Sequence, residues 1–358
     1  ILEHISNKSS TFKLHIESHD FGGAAIDSSG EPLPESTRVA CKKADAILLG
    51  AVGGPKWGVG KVRPEQGLLA IRKELDLYAN VRPALFPSES LLEHSPLRPE
   101  IAKGTEFIVI RELVKGLYYG DRKEADLSAP DAKGEAYDMM VYDKADVQRI
   151  TRLAAYLAMQ SSPPTKIHSI DKANVLATSR LWRHVVTETI EKEFRDKGVE
   201  VDLHLVDSAA MVMVSNPRKL NGIVLTENMF GDIISDEASV IGGSIGLLPS
   251  ASIGEDNGLF EPIHGSYTQA KGKGIANPIA SILSAAMLLD YLELDQAADK
   301  LRKSVEHAIE SKFVTIDLNA EQHYTTSEVG DFIADYIKFS EKSYYNLENI
   351  QLGKSTIV

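Results

Sequence analysis

Asp232 and Asp236 stand four residues apart in the densest unusual segment of the chain, Asn228-Met-Phe-Gly-Asp-Ile-Ile-Ser-Asp-Glu-Ala-Ser-Val-Ile-Gly-Gly-Ser-Ile-Gly246. On a helix that spacing puts both carboxylates on one face, where they repel unless a cation or an arginine lies between them. A hard divalent ion resolves the repulsion. With Asp207, at the end of a strand-like run, they form an oxygen-only donor set suited to Mg²⁺ or Mn²⁺. The absence of clustered Cys and His along the sequence argues against zinc. Two solvated carboxylates near the positive end of a helix account for the spacing equally well.

Three arginines flank other candidate loops: Arg72 and Arg82 within Gly67–Pro83, and Arg111 after the apolar run Phe107–Ile110. A guanidinium binds a carboxylate bidentately, although in an acidic chain it more often serves a surface ion pair worth ~0–1 kcal/mol. Lys172, in Asp171-Lys-Ala-Asn174, works as a base only where burial or nearby cations lower its pKa. Tyr118, in Gly116-Leu-Tyr-Tyr-Gly120, can donate a proton or simply pack. The stretch Glu261–Tyr267, with Gly272–Pro278, can wrap a ligand through backbone N–H groups or form a pair of surface turns. No G-x-G-x-x-G joins a strand to a helix, and Gly50-Ala-Val-Gly-Gly54 has the wrong spacing, so a Rossmann site is not supported. The formal G-x-S-x-G match, Gly242–Gly246, follows a helix and is no nucleophile elbow.

The elements that must position these groups read as an α/β protein. Val199–Val206 alternates apolar and polar residues as a half-buried strand delivering Asp207. Ala46–Leu49, Phe107–Ile110, Lys166–Ile170 and Ile223–Leu225 read as strands, mostly buried, with the candidate loops at their ends. Trp182, Val186, Ile190 and Phe194 recur every four residues, and Val147, Ile150, Leu153, Ala154 and Leu157 follow helical spacing after Asp143 as N-cap. Asp121–Tyr142 lacks apolar periodicity and reads as a disordered loop or an arm, and the polar tail after Ile337, with Tyr344 and Tyr345, as a mobile terminus.

The chain of 358 residues has 39 Lys+Arg against 51 Asp+Glu, a net charge of −12, 43% hydrophobic residues and a single cysteine, Cys41. This length suggests two domains or one large one. The acidity argues against a nucleic-acid partner, which needs a concentrated basic surface. The longest uncharged stretches, Ser239–Gly254 and Gly274–Leu289, fall short of the ~18–20 apolar residues of a membrane span. One cysteine calls for no oxidising compartment, so the expected location is cytoplasmic.

Taken together, these residues resemble the β-decarboxylating dehydrogenase family. The likeness runs from about Phe21 to Phe332. It rests on Leu48-Leu-Gly-Ala-Val-Gly-Gly-Pro-Lys-Trp57, Arg63-Pro-Glu-Gln-Gly-Leu-Leu69, the three arginine segments, Asp171-Lys-Ala-Asn-Val-Leu176, Asn228–Gly246 and Thr325-Thr-Ser-Glu-Val-Gly-Asp331, in the family's order. The resemblance implies a non-Rossmann two-domain α/β fold. A discontinuous cofactor-binding domain would span 1–77 and 243–358, and a second domain, 78–242, would carry the dimer interface and an arm at about 113–142. It also implies a homodimer with shared active sites. Arg72, Arg82 and Arg111 would bind two substrate carboxylates, and Asp232 and Asp236, with Asp207 of the partner subunit, would hold Mg²⁺ or Mn²⁺ beside the substrate. Lys172 of the partner subunit would take the hydroxyl proton as hydride passes to the nicotinamide, and Tyr118 would protonate the enol left when CO₂ departs.

Glu65, Leu68 and Leu69 would flank the substrate's side chain, where a leucine pair suits an isopropyl group and serves a third carboxylate, as in isocitrate, poorly. The implied reaction is therefore oxidative decarboxylation of 3-isopropylmalate to 4-methyl-2-oxopentanoate, a step of leucine biosynthesis. A paralogue acting on another 3-substituted malate and a non-catalytic dimeric scaffold are the alternatives, and Lys115, where a small residue is common, permits the first. His264, Gly265, Ser266 and Asn277 are similar to the family's adenine-nucleotide loop. Gln269 stands where NAD-specific members carry Asp, and Tyr267-Thr268 replaces Ala-Pro, but the Lys-Tyr pair of NADP-preferring members is absent, so NAD is the expected cofactor. The family's N-terminal strand and its glycine-rich turn are not among these residues, and the expectation is that they were cut away or omitted.

Overall fold

The computed structural model describes residues 1–58, 62–128 and 134–337; the tail with Tyr344 and Tyr345 lies outside the described residues. Among the described residues, eight of ten strands form one mixed sheet. In chain order the strands are β1 (Ile47–Leu48), β2 (Ala79–Ala84), β3 (Phe107–Glu112), β4 (Arg122–Lys123), β5 (Tyr137–Asp138), β6 (Ile167–Asp171), β7 (Val201–Leu205), β8 (Gly222–Thr226), β9 (Pro249–Ile253) and β10 (Gly258–Pro262). Across the large sheet the order is β1-β10-β9-β2-β3-β8-β6-β7. β3, β8, β6 and β7 are mutually parallel, so their carboxyl ends, carrying Arg111, Glu227, Lys172 and the approach to Asp207, open on one side. Ligands of open α/β sheets bind at such strand ends. β2 runs antiparallel to β3 with Asn80 opposite Arg111. Side chains two apart on a strand share a face, so Asn80 and Arg82 face the same way as Arg111.

The helices cover the sheet as the periodicity requires. The Lys144–Ala158 helix starts at Asp143, whose side chain accepts the Asp146 N–H at 2.9 Å, and it buries Val147, Ile150, Leu153, Ala154 and Leu157. The Ala177–Glu193 helix buries Trp182, Val186 and Ile190, and Phe194 caps it from the same core. The Asn228–Ile241 helix sends Ile234, Ala238 and Ile241 into a core with Phe107, Val109 and Ala84. A further core gathers the Ile279–Tyr291, Asp295–Glu310 and Thr326–Tyr336 helices with the N-terminal Ile5. Among the described residues no helix is long and apolar enough to cross a membrane.

Two expectations need correction in detail. The strand before Asp207 ends at Leu205, and Val206 opens the Val206–Ser215 helix, so Asp207 lies in the first turn of a helix. Leu203 is also not on a buried face: it is exposed, while His204 is turned toward buried His168. The segment expected to contain an arm, about 113–142, holds a ribbon among its described residues and has buried ends. β4 and β5 pair as a two-stranded ribbon, whereas Leu113, Val114 and Tyr142 are buried in the body of the protein. The Tyr142 ring meets Trp182 edge-on at 5.8 Å.

Replacing Asp143 by Ala removes the only side-chain acceptor this helix start uses, and an N-cap loss costs ~1 kcal/mol. We expect Asp143→Ala to lower the urea midpoint by the equivalent of about that amount with an unchanged slope; an unchanged midpoint refutes the capping role.

Candidate active site

The site grows from the β2–β3 register. Arg82 reaches from β2, its Nε donating to Asn80 Oδ1 at 2.7 Å and its Nη1 to Ser235 Oγ at 2.6 Å. Arg111 reaches from β3, its Nε and Nη2 donating to Asn228 Oδ1 at 3.0 and 2.7 Å. Asn228 is itself held by donating to the Leu113 and Lys115 carbonyls. Both guanidinium groups are therefore aimed by fixed amides, and both arginines are less than 8% exposed. Burial, and then the neighbouring Arg111, brings Arg82 down to about 10; burial lowers Arg111 as well, against the pull of Asp232. A guanidinium keeps its charge in proteins, so both arginines act as cations.

Asp232 and Asp236 answer these charges from the helix above. Arg82 Nη1 lies 3.0 Å from Asp236 Oδ1, and its Nη2 lies 3.9 Å from Asp232 Oδ1. Arg111 Nη1 pairs with Asp232 Oδ1. The carboxylates share a face, as the four-residue spacing requires, and here arginines relieve their repulsion. Gly231 makes the approach possible: a Cβ there would lie 2.7 Å from Arg111 Cγ and 2.8 Å from Thr226 Cγ2. The helix start is fixed by Glu227, whose carboxylate accepts the Met229 and Phe230 N–H groups and the Tyr142 hydroxyl. Tyr118 joins the cluster, its hydroxyl donating to Asp232 Oδ2 at 2.8 Å, with Arg111 over its ring at 5.7 Å. Burial, together with Asp232, pushes the phenol up to about 12, so it is held as a proton donor.

Arg72 lies on the Pro64–Glu74 helix, buried, with Nη2 donating to Glu261 Oε1 at 2.7 Å and a buried Nε that has no partner among the described residues. Glu65, Leu68, Leu69 and Arg72 follow helical spacing and share one face. Glu65 reaches the glycine loop: a Cβ on Gly53 would stand 2.9 Å from its Oε1 and 3.6 Å from Ser266 Oγ. The Gly53 N–H donates to Ser266 Oγ at 3.0 Å, so the two glycine-bearing segments, far apart in sequence, make one cradle. In the second segment His264 Nδ1 lies 3.0 Å from the Gly265 carbonyl, and space around Gly265 is open. Asn277 accepts from the Ile279 N–H and donates to Asp317, which also accepts from Ser244 after the aspartate helix.

Lys172 and Asp207 form a separate pair, with Nζ 2.8 Å from Oδ1 at the ends of β6 and β7. The lysine draws the Asp207 carboxyl below its ordinary range. Within one chain Asp207 is not brought together with Asp232 and Asp236 as three ligands. Among the described residues the group whose ligand atoms lie within 4.8 Å of one another is instead His168, Asp202 and His204. This corrects the expectation that the chain has no clustered histidines: the two are far apart in sequence, and only the pairing of β6 with β7 joins them. Sequence reasoning also missed Asn80, Asn228, Glu227, Glu261 and Asp317. Signals were available in the Asn80–Arg82 alternation and in Asn228 and Glu261, which open two of the segments singled out from the sequence. Lys115 is engaged with Asp146 at 3.1 Å and does not enter the cluster through any ion pair with it.

Comparison with known proteins supplies the remaining observations. A family model described as isocitrate/isopropylmalate dehydrogenase matches residues 1–333. A protein of Blastobotrys adeninivorans named 3-isopropylmalate dehydrogenase is 55% identical over 93% of this chain and 91% of its own length. One of the same name from Saccharomyces cerevisiae is 54% identical over 94% and 92%. The crystal structure of an isocitrate dehydrogenase from Methylococcus capsulatus superposes with a TM-score of 0.82 at 30% identity, over 94% of this chain and 93% of that one.

Beside Arg111, the buried carboxyl of Glu112 accepts the Val114 and Lys115 N–H groups at 3.1 and 3.0 Å. Burial nevertheless pushes it up to about 8. A carboxyl whose folded pKa lies above its unfolded value takes up a proton on folding. Its contribution to stability is thus present at about pH 4 and is lost as the pH rises toward 8. We expect the stability difference between wild type and Glu112→Gln, from urea midpoints, to shift against wild type across that window; a pH-independent difference contradicts the buried protonated acid.

Proposed function

The chain belongs to the isocitrate/isopropylmalate dehydrogenase family, and from that membership we propose that it oxidatively decarboxylates 3-isopropylmalate with NAD as the hydride acceptor and Mg²⁺ or Mn²⁺ as a helper ion. The geometric observation that carries this reading is the buried Arg82–Arg111 pair set against Asp232, Asp236 and the Tyr118 hydroxyl. The names of the relatives, at 54–55% identity, point to the substrate.

Arg72, Arg82 and Arg111 bind the two substrate carboxylates, and the unbonded Nε of Arg72 is a donor awaiting one. Leu68 and Leu69, on the face that carries Arg72, meet the isopropyl group, an apolar pair that serves a third carboxylate poorly. The oxygen donors of Asp232 and Asp236, with Asp207 of the partner subunit, fit a hard divalent ion and would hold it. When bound, the ion supplies Lewis-acid polarisation of the substrate oxygens. Lys172 of the partner subunit takes the proton of the substrate hydroxyl, and Tyr118, kept protonated, returns one to carbon after CO₂ leaves. The cradle of Gly53, Glu65 and Ser266, with His264, Gly265 and Asn277, holds NAD, the hydride acceptor; a side chain on Gly53 would crowd it.

Sharing of sites between subunits requires a homodimer, and the exposed apolar residues Met211 and Val214 on one helix and Ile233 and Val240 on the next support that assembly. The division into 1–77 with 243–358 and 78–242 rests on the family membership, since the core around Ile5 and the C-terminal helices also takes in Leu91 and another core runs across the boundary from Val81 to Phe260. The lone Cys41 suits a cytoplasmic setting.

NADH formation with Mg²⁺ or Mn²⁺, run on 3-isopropylmalate beside isocitrate, tartrate and 3-benzylmalate, tests the reading. We expect 3-isopropylmalate to exceed isocitrate in kcat/KM by ~100-fold or more, with turnover abolished by chelation. Preference for another malate overturns the substrate, and silence with all of them overturns the activity. Tyr118→Phe should lower kcat by ~10²–10⁴-fold with little change in KM; an unchanged kcat removes Tyr118 from the proton path.

A further inference from the structure

We propose that His168, His204 and Asp202 form a second metal site, selective for a borderline divalent ion such as Zn²⁺ and separate from the oxygen-only dehydrogenase site. The register of two parallel strands builds it. Asp202 and His204 are two apart on β7 and so share a face, and His168 on β6 pairs with Asp202. His168 Nδ1 and His204 Nε2 are 3.1 Å apart, close to the ~3.3 Å that separates two nitrogens bound tetrahedrally to one zinc at ~2.0–2.1 Å. One ligand atom from each of the three residues lies within 4.8 Å of the others. A two-histidine, one-carboxylate set leaves a further position for water or another ligand.

The tautomers favour ligation. His168 is buried, and its Nε2 lies 3.3 Å from the Asn221 carbonyl, which can only accept; Nε2 therefore carries the proton and Nδ1 presents its lone pair inward. A histidine ligand whose other nitrogen donates to a carbonyl is the usual outer support of a metal site. That carbonyl is itself fixed, because the Asn221 side chain bridges the Glu106 N–H and the Gly104 carbonyl at 2.9 and 2.8 Å. Without metal, His204 Nε2–H donates to His168 Nδ1. On binding, the half-buried His204 moves that proton to its own Nδ1, so no net proton is released. The competitor is Lys166, whose Nζ holds Asp202 at 3.2 Å and Glu200 at 3.5 Å and must release Asp202 to the ion.

The site lies toward the start of β6, away from Lys172 at its far end, and clamps edge strand β7 to its only sheet neighbour among the described residues. Bound metal should therefore stabilise the fold and leave turnover alone. The test is calorimetric titration of chelator-stripped protein with Zn²⁺ in excess Mg²⁺, which occupies the carboxylate site, together with Tm. Wild type should bind one Zn²⁺ per chain and gain Tm. His204→Ala, at a partly exposed position, should keep the fold by circular dichroism and its Mg²⁺-supported activity but lose Zn²⁺ affinity by ~100-fold or more, beyond the loss from outer-shell changes. Lys166→Met should tighten binding. No Zn²⁺ uptake over Mg²⁺, or identical isotherms for wild type and His204→Ala, overturns the proposal.

Discussion

Two guanidinium groups on adjacent strands, Arg82 and Arg111, are buried side by side, and the site depends on the carboxylates that make this tolerable. Burying one unpaired charge is costly, and breaking a fully buried pair by removing one partner costs ~3–5 kcal/mol. Here the carboxylates are partly exposed, so water screens the pairing and the cost is smaller. The requirement still propagates outward. Asn80 and Asn228 must aim the arginines, Gly231 must let the helix descend on Arg111, and Glu227 with Tyr142 must hold the start of that helix.

The charge count follows from the same arrangement. Three arginines, 72, 82 and 111, meet three carboxylates, Glu261, Asp232 and Asp236, in direct pairs. Without ligands the cluster is close to neutral. A substrate with two carboxylates and a cation of charge two can replace these pairings together without leaving a buried charge alone. Either one by itself must leave part of the set uncompensated. On the proposed binding mode, each ligand therefore favours binding of the other.

Much of this was legible from local pattern. The 3.6-residue period gave the Lys144–Ala158 and Ala177–Glu193 helices, and Asp232 and Asp236 on one face followed from spacing alone. What local pattern could not give is pairing across the sheet. Arg72 and Glu261 lie 189 residues apart, Arg111 and Asn228 lie 117 apart, and only strand order and the packing of helices on the sheet join them. The histidine pair of β6 and β7 was hidden for the same reason. The helix that begins at Val206 was hidden because alternation continues through Val206, with no N-cap signal marking where the strand gives way to helix: Leu205 offers no capping side chain. That Tyr142 belongs to the body of the protein was hidden because it reads as polar loop, yet it packs on Trp182 and bonds Glu227.

The central claim is that substrate and cation exchange together against the arginine–aspartate pairs. Calorimetric titration of 3-isopropylmalate into the protein, with and without saturating Mg²⁺, tests it most directly. The account predicts that Mg²⁺ raises substrate affinity by at least ~10-fold, and that the substrate raises Mg²⁺ affinity by the same factor. Equal affinity in the presence and absence of Mg²⁺ would contradict it.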